Sequence, residues 1–348
     1  MYYFDKTLVA NNRNLAGQWD VVQNQRNTFD NFEKHLAMMQ GLQVNAAAII
    51  PQDVYREFDN ITKKIMRNDE GDVILNDLLP LAKSLHVGKI EHQHRQASDS
   101  GNAITTISGQ VPNSLDKANY TFEKSIVPVH SDGFGRQWRE LEGQRSEGFD
   151  GLIDDQENSV RAVRRKFVDY ILDGDTGVVF NGTVWTGIRN DSRVAAVDLG
   201  GGGLNVDFTS SALTGAVARD KFIQVRDTLR ITNNATMPVT FYVSREIMSN
   251  LERWYSDNDK GFGTILADLK NLNGVADIKE SAKLIGNQII GMVLNNQFIR
   301  PLTGMAVNTI PVVRNNPMDN HNFITWSAMG LEIKTDFDGR TGVLYASA

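Results

Sequence analysis

The sequence predicts an α+β chain organised around one long helix, with an extended β-hairpin arm before it and a mixed α/β region after it. Three observations carry this. Apolar residues recur at helical spacing from 150 to 173, about 35 Å of helix at 1.5 Å per residue. Strand-forming Thr, Tyr, Ile and Val alternate with polar residues between 104 and 129. From about residue 211, helix and strand signals follow one another to the end of the sequence.

Bulk properties exclude several classes. A chain of 348 residues has room for one large domain or two joined ones. Its 41% hydrophobic and 22% charged residues argue against wholesale disorder. No run reaches the roughly 18 apolar residues that span a bilayer. Met1-Tyr2-Tyr3-Phe4-Asp5-Lys6 lacks the basic and apolar regions of a signal peptide. The absence of cysteine rules out disulfides, thiolate metal sites and thiol catalysis, and fits a reducing cytosol. A net charge of −6 advertises no basic face for gripping phosphates.

Residues 1–50 are polar and rich in Asn and Gln, and read as an arm that lies on something else. Val54, Phe58, Ile61 and Ile65 predict a helix over 52–68, and 73–86 is a second apolar run. Glu91 to Ala103 holds almost nothing apolar. Ile104–Val111 then reads as a strand, Pro112–Ala118 as a polar tip, and Tyr120–Val129 as the return strand. Residues 88–130 are therefore expected to form a long exposed hairpin. A lone two-stranded hairpin is marginal in water, so it needs a neighbouring subunit.

In the helix from 150 to 173, Leu152, Ile153, Val160, Val163, Phe167, Tyr170 and Ile171 share one stripe. Acids lead and Arg161, Arg164, Arg165 and Lys166 follow, as the helix dipole favours. Gly174 suits the C′ position. Loops follow, with Gly187-Ile188-Arg189-Asn190 and the glycines 200–203. Helices are expected at Ala212–Leu229, Arg245–Trp254 and Gly263–Leu269. Strands are expected at Val239–Val243, 275–278, 287–294 and 306–313. The end reads as a hairpin of Ile324–Thr335 and Val343–Tyr345, turning at Asp338-Gly339.

Chemistry-bearing motifs are sparse. Glu91-His92-Gln93-His94 is the one metal-like cluster, since residues two apart on a strand share a face. Two ligands fall short of the usual three or four, and exposed strand polarity is the simpler reading. Gly200 to Gly203 lacks the Gly-Lys-Ser/Thr of a phosphate loop, and neither GxSxG nor HExxH occurs. Asp154-Asp155 and Asp173/Asp175 read as helix-end acids. The Arg161–Lys166 cluster reads as a solvated helix face or as a contact surface to acidic neighbours or DNA. Met248, Trp254 and Phe262 are expected in the core.

The order of parts resembles the Hong Kong 97-type capsid fold of tailed-phage major capsid proteins and the related encapsulins. Trp138-Arg139-Glu140-Leu141-Glu142-Gly143 leading into the long helix, the closing Asp173-Gly174, and Gly187-Ile188-Arg189-Asn190 resemble the encapsulin-like branch. The resemblance spans residue 30 to the end. It implies an N-terminal arm (1–50) and an E-loop (88–130). It implies a P-domain (51–87 and 131–199) carrying the spine helix 150–173, an A-domain (200–313), and returning P-domain strands (314–348).

The function so implied is structural: a major capsid protein, not an enzyme and without cofactor or metal. It would form pentamers and hexamers of an icosahedral shell around double-stranded DNA, contacted non-specifically. Portal and possibly scaffold or decoration proteins are the further partners, and no membrane is involved. Assembly in the host bacterial cytoplasm and residence in the virion capsid follow. Asp99, Asp116, Lys117, Arg139, Arg161, Asp336, Asp338 and Arg340 are the expected intersubunit contacts. Lys117 and Lys124 lie where some family members crosslink a Lys to a neighbour's Asn, but no partner can be placed and no crosslink is predicted. An encapsulin shell around an enzyme cargo is the nearest alternative, although encapsulins tend to be shorter. A soluble α/β metalloenzyme using His92 and His94 is the alternative from another class.

Overall fold

The computed structural model describes residues 72–101, 105–108, 117–146, 151–255 and 263–348, with several helical residues between 23 and 34. The chain divides into two units, Met1–Ile65 and Met66–Ala348. In the first, the Thr28 hydroxyl donates to the Asn24 carbonyl at 2.8 Å, a helical i to i−4 contact. The expected helix over 52–68 and most of the expected arm 1–50 lie outside the described residues, as does Asp116.

The second unit opens with helix α1 (Asp72–Leu78), a 3-10 turn (Leu79–Leu81) and the short strand β1 (Lys83–Ser84). Strands β2 (Glu91–Ala97) and β3 (Tyr120–Ile126) pair antiparallel as the arm, with His94 opposite Glu123. After Val127 and Pro128, β4 (Val129–Arg136) runs on into a different sheet. Helices α2 (Trp138–Ser146) and α3 (Gly151–Asp173) follow, then β5 (Asp175–Phe180), β6 (Thr183–Trp185) and β7 (Ala195–Asp198). The remainder is α4 (Gly215–Asp227) with a π-turn (Thr228–Thr232), β8 (Val239–Val243), α5 (Arg245–Leu251), α6 (Ile265–Lys270), β9 (Val275–Glu280), β10 (Gln288–Met292), β11 (Ile299–Pro311), β12 (His321–Ile333) and β13 (Val343–Ser347).

Two sheets organise these elements. One has four strands in the order β1-β11-β12-β4, and the other has five in the order β7-β13-β10-β8-β9. All of β8 is buried because both faces of its sheet are covered. Phe241, Val243, Ile289 and Leu344 face a core shared with Phe222, Ile247, Leu251 and Leu269 of α4, α5 and α6. Tyr242, Ile290, Met292 and Val343 face a second core with Ile74 and Leu78 of α1, Phe167 and Ile171 of α3, and Ile299, Leu331 and Ile333 of the four-stranded sheet. A fully buried side chain of this size contributes about 1.5–3 kcal/mol, so these two layers dominate stability. Tyr242 carries its polar end to the edge, donating to Asp77 Oδ2 at 2.6 Å, where Lys279 also pairs at 2.7 Å.

The long helix forms as its periodicity predicts, but its two halves differ. Val163, Phe167, Tyr170 and Ile171 are buried, whereas Ile153 is 61% exposed. Among the described residues, charge pairs hold the N-terminal turns. Arg136, ending β4, pairs with Asp155 at 2.5 Å and with Glu140 at 2.9 Å. The C-terminal end is stapled by the motif around Gly187. Ile188 N–H donates to Ile171 O at 3.0 Å and Arg189 N–H to Leu172 O at 3.1 Å, giving partners to otherwise free terminal carbonyls. Gly174 makes this approach possible. Its φ is +71°, and a Cβ there would stand 2.3 Å from Trp185 O.

Three expectations need correction. The first arm strand is not Ile104–Val111 but Glu91–Ala97; residues 105–108 form no strand, and 102–104 and 109–116 lie outside the described residues. The strand is held by polar contacts, so its hydrophobic pattern carried no signal. The closing segment is not a hairpin. Its strands belong to different sheets, β12 between β11 and β4 and β13 between β7 and β10, and their backbones pair only at the turn itself, through a bridge at Thr335 and Thr341 and the Asp336 N–H to Arg340 O bond. Lastly, Trp254 is half exposed rather than core, lying beyond the end of α5 in a bridge to Thr264. Met248 is buried as expected, and Phe262 lies outside the described residues.

Candidate functional site

The densest polar arrangement lies at the root of the arm, centred on Glu332. This carboxylate is completely buried, within the apolar run Ala328-Met329-Gly330-Leu331-Glu332-Ile333 of β12. Its cross-strand partner on β11 is Arg300, whose Nε donates to Oε2. The arm supplies the rest. His92 Nδ1 stands 2.7 Å from Glu332 Oε1, and His94 Nδ1 3.3 Å from the same oxygen. His94 Nε2 stands 3.3 Å from Glu123 Oε2 across the β2–β3 pair. Lys83 of β1 closes the far side, with Nζ 2.9 Å from His92 Nε2.

The alternation of β2 explains the convergence. His92, His94 and Gln96 occupy the inward face, while Gln93, Arg95 and Ala97 are exposed. Gln96 donates to the Thr335 carbonyl at 2.9 Å and to its hydroxyl at 2.8 Å, and that hydroxyl donates to Glu123 at 2.9 Å. The backbone allows close approach because β12 has a glycine here. A Cβ on Gly330 would lie 2.3 Å from Ile126 O, at the end of β3.

Charge distribution follows from these contacts. Burial opposes ionisation of Glu332, but His94, Arg300 and His92 overcome it and hold the carboxyl at about 2. Contacts with Glu123 and Glu332 raise His94 above the ordinary histidine value against the cost of its burial. Desolvation lowers His92, assisted by Lys83 and Arg300 and opposed by Glu332. Glu123 is lowered, its burial outweighed by His94, Thr335 and Arg193.

The arm's outer face is different. Arg95 lies over the Tyr120 ring at 4.8 Å, and Tyr120 and Phe122 are 55% and 63% exposed. Exposed aromatic side chains on a two-stranded ribbon are of the kind that mark contact surfaces.

The expected contact residues do not gather at one place. Asp99, at the end of β2, is exposed and accepts from Ser100 N–H at 2.9 Å. Lys117 is exposed just before β3, and Arg139 is exposed on α2. Arg161 is half-buried on α3. Asp336, Asp338 and Arg340 form a turn of their own. Asp336 accepts from Asp338 N–H at 3.0 Å and from Arg340 N–H at 2.7 Å, and Asp338 pairs with Arg340 at 3.7 Å. Sequence reasoning missed Glu332 and Arg300. The signal available was one acid inside an otherwise apolar strand.

The arrangement around His92 and His94 does not suit a metal, because the cations of Lys83 and Arg300 already occupy its ligand positions. Among the described residues no group of three His, Cys, Asp or Glu side chains could hold a metal ion. Nor, among those residues, is any helix long and apolar enough to cross a membrane.

Residues 45–346 match the model of DUF6260, described as a family of unknown function. The chain belongs to this family. No curated protein matches it in sequence. Solved structures do match this DUF6260 chain in fold. The capsid of Myoviridae phage XM1 aligns with a TM-score of 0.65 at 10% identity, covering 87% of this chain and 99% of that one. The capsid of the native GTA particle aligns at 0.59 and 12% identity, covering 88% and 100%. A chain from Gordonia phage Cozz aligns at 0.53 and 11% identity, covering 88% and 98%. The DUF6260 chain therefore has the Hong Kong 97-like α+β capsid fold, as its order of parts led one to expect.

Proposed function

We propose that this chain is the major capsid protein of a tailed phage, a structural protein and not an enzyme. The observation that carries the reading is the pairing of that fold, matched over nearly the whole of both chains, with a hairpin arm whose outer aromatic face is turned to solvent. Subunits form rings of five and six and close into an icosahedral shell. The arm 88–130 acts as the E-loop over the adjacent subunit, and the N-terminal arm (1–50) wraps a neighbour. Residues 200–313 act as the A-domain near the ring centres, and 51–87, 131–199 and 314–348, with the spine helix 150–173, as the P-domain. Asp99, Asp116, Lys117, Arg139, Arg161 and Arg340 supply ion pairs between subunits, and the tip carrying Asp336 and Asp338 touches other subunits, each contact individually weak and the set collectively strong through multivalency.

Portal and possibly scaffold or decoration proteins complete the head, which encloses double-stranded DNA without reading its sequence. Assembly takes place in the host bacterial cytoplasm, and the product resides in the virion. The test is expression of the chain with its candidate scaffold, followed by light scattering and negative-stain imaging. Megadalton shells, tubes, or rings of five and six are expected. A stable species of four subunits or fewer under those conditions overturns the reading, and shells filled with a co-purified enzyme replace it by an encapsulin.

A further inference from the structure

The arm root contains two histidines in opposite electrostatic situations, and neither situation is required by a shell protein as such. His92 has a fixed tautomer. An ammonium only donates, so Lys83 Nζ at 2.9 Å requires a lone pair on His92 Nε2. The single proton of His92 then sits on Nδ1 and is given to Glu332 at 2.7 Å. A second proton on His92 would confront the Lys83 ammonium directly. His94 is the reverse case. Both its ring nitrogens lie 3.3 Å from carboxylate oxygens, Nδ1 from Glu332 and Nε2 from Glu123. Neither contact is aligned as a hydrogen bond, so the attraction is ionic: two anions flank the ring, and a positive imidazolium is the form they favour.

We propose that these two side chains form a two-sided proton latch holding the hairpin arm to the body. The latch is closed when His94 is charged and His92 neutral. Alkali opens it through His94 and acid opens it through His92.

Every element packed on the latch contributes to the balance. Lys83 of β1 faces His92, Glu123 of β3 faces His94, and Glu332 and Arg300 form the floor. Arg193 acts on Glu123, and Lys334 lies beyond Glu332 and Arg300. Glu91 and Lys124 pair with each other at 3.5 Å nearby on the arm. The shifts agree with the geometry. His94 is raised by Glu123 and Glu332, so its holding effect is complete below the ordinary 6.5 and lost as pH rises through the raised value. His92 is lowered chiefly by desolvation, so its effect is complete above 6.5 and lost as pH falls through the lowered value. The closed window therefore brackets 6.5. The carboxylates do not set its acid limit, because Glu332 is held at about 2 and Glu123 is lowered as well.

The chain's lack of cysteine makes the test direct. Nitroxide labels on Ala97→Cys, on the arm's outer face, and Ala267→Cys, at an exposed position of α6, report the arm-to-body distance in the full chain by double electron–electron resonance. A narrow distribution at pH 7 that broadens at both pH 5 and pH 9 is expected. Between 6.5 and each shifted value the closed-to-open ratio falls by up to about tenfold per pH unit, and it levels off beyond that value. His94→Gln should abolish the difference between pH 7 and pH 9, and His92→Gln that between pH 5 and pH 7. Identical distributions at all three pH values overturn the latch, as does a limb that survives its variant. Should a variant fail to fold, histidine-selective NMR titration of the unmutated chain decides instead. His94 titrating at or below 6.5, or His92 at or above it, overturns the latch. None of these readouts requires a shell to form, so the latch and the capsid reading can fail separately.

Discussion

Glu332 and His92, 240 residues apart in sequence, meet at 2.7 Å where the hairpin arm joins the body. The contact welds a strand with almost no apolar content to an apolar stretch of β12, and it does so through a carboxylate with no access to water. A buried ion cluster resists partial dismantling more than it adds net stability.

Removing one member of that cluster should therefore be costly. Glu332→Leu leaves the half-buried Arg300 guanidinium without its anion, and up to about 3–5 kcal/mol of unfolding free energy should be lost. The double variant Glu332→Leu with Arg300→Met should recover most of it. Urea denaturation of the three proteins is the check, and a double variant no better than the single would disprove the account.

Acid should act on the same carboxylate. Because Glu332 is depressed from 4.5 to about 2, it contributes stability that is whole above 4.5 and lost as pH falls toward 2. Melting temperatures measured from pH 6 down to pH 2 should fall over that interval. Glu332→Gln should start lower and fall less.

Gly330→Ala tests the close crossing of the arm. The added methyl meets Ile126 O at 2.3 Å, and backbone on both sides leaves little room to yield. A loss of about 1–3 kcal/mol is expected from overpacking, with faster amide exchange over Tyr120–Ile126 than over the five-stranded sheet. Uniform exchange across both regions would argue against a local effect.

The outer face of the arm should matter to assembly and not to folding. Tyr120→Ser with Phe122→Ser removes two exposed rings, so monomer stability should stay within about 0.5 kcal/mol. Shell yield in the light-scattering assay should drop sharply. Unchanged yield would remove the arm's outer face from the intersubunit contacts.

Legibility in the sequence followed the apolar pattern. The long helix, β8 and the helices around it were readable because burial there is apolar and periodic. The arm was readable as a hairpin through Tyr120–Ile126, but its other strand was misplaced, since Glu91–Ala97 is held by ions and hydrogen bonds that no local pattern announces. The closing hairpin failed for another reason. A turn at Asp338-Gly339 is compatible with strands that pair and with strands that part, and the choice is made by β7 and β10, far away in sequence. His92 and His94 stood out early, yet their partners Arg300 and Glu332 could be found only through the cross-strand register.

The placement of β13 has a consequence for the order of events during synthesis. This strand joins β7, paired in parallel about 150 residues upstream, to β10, and it is translated after both. Until Val343–Ser347 emerges, the five-stranded sheet is two fragments with open edges, and the adjoining cores lack Leu344 and Val343. Such long-range closure is slow. A nascent chain on the ribosome therefore keeps this sheet open from the time β7 is made until β13 is made.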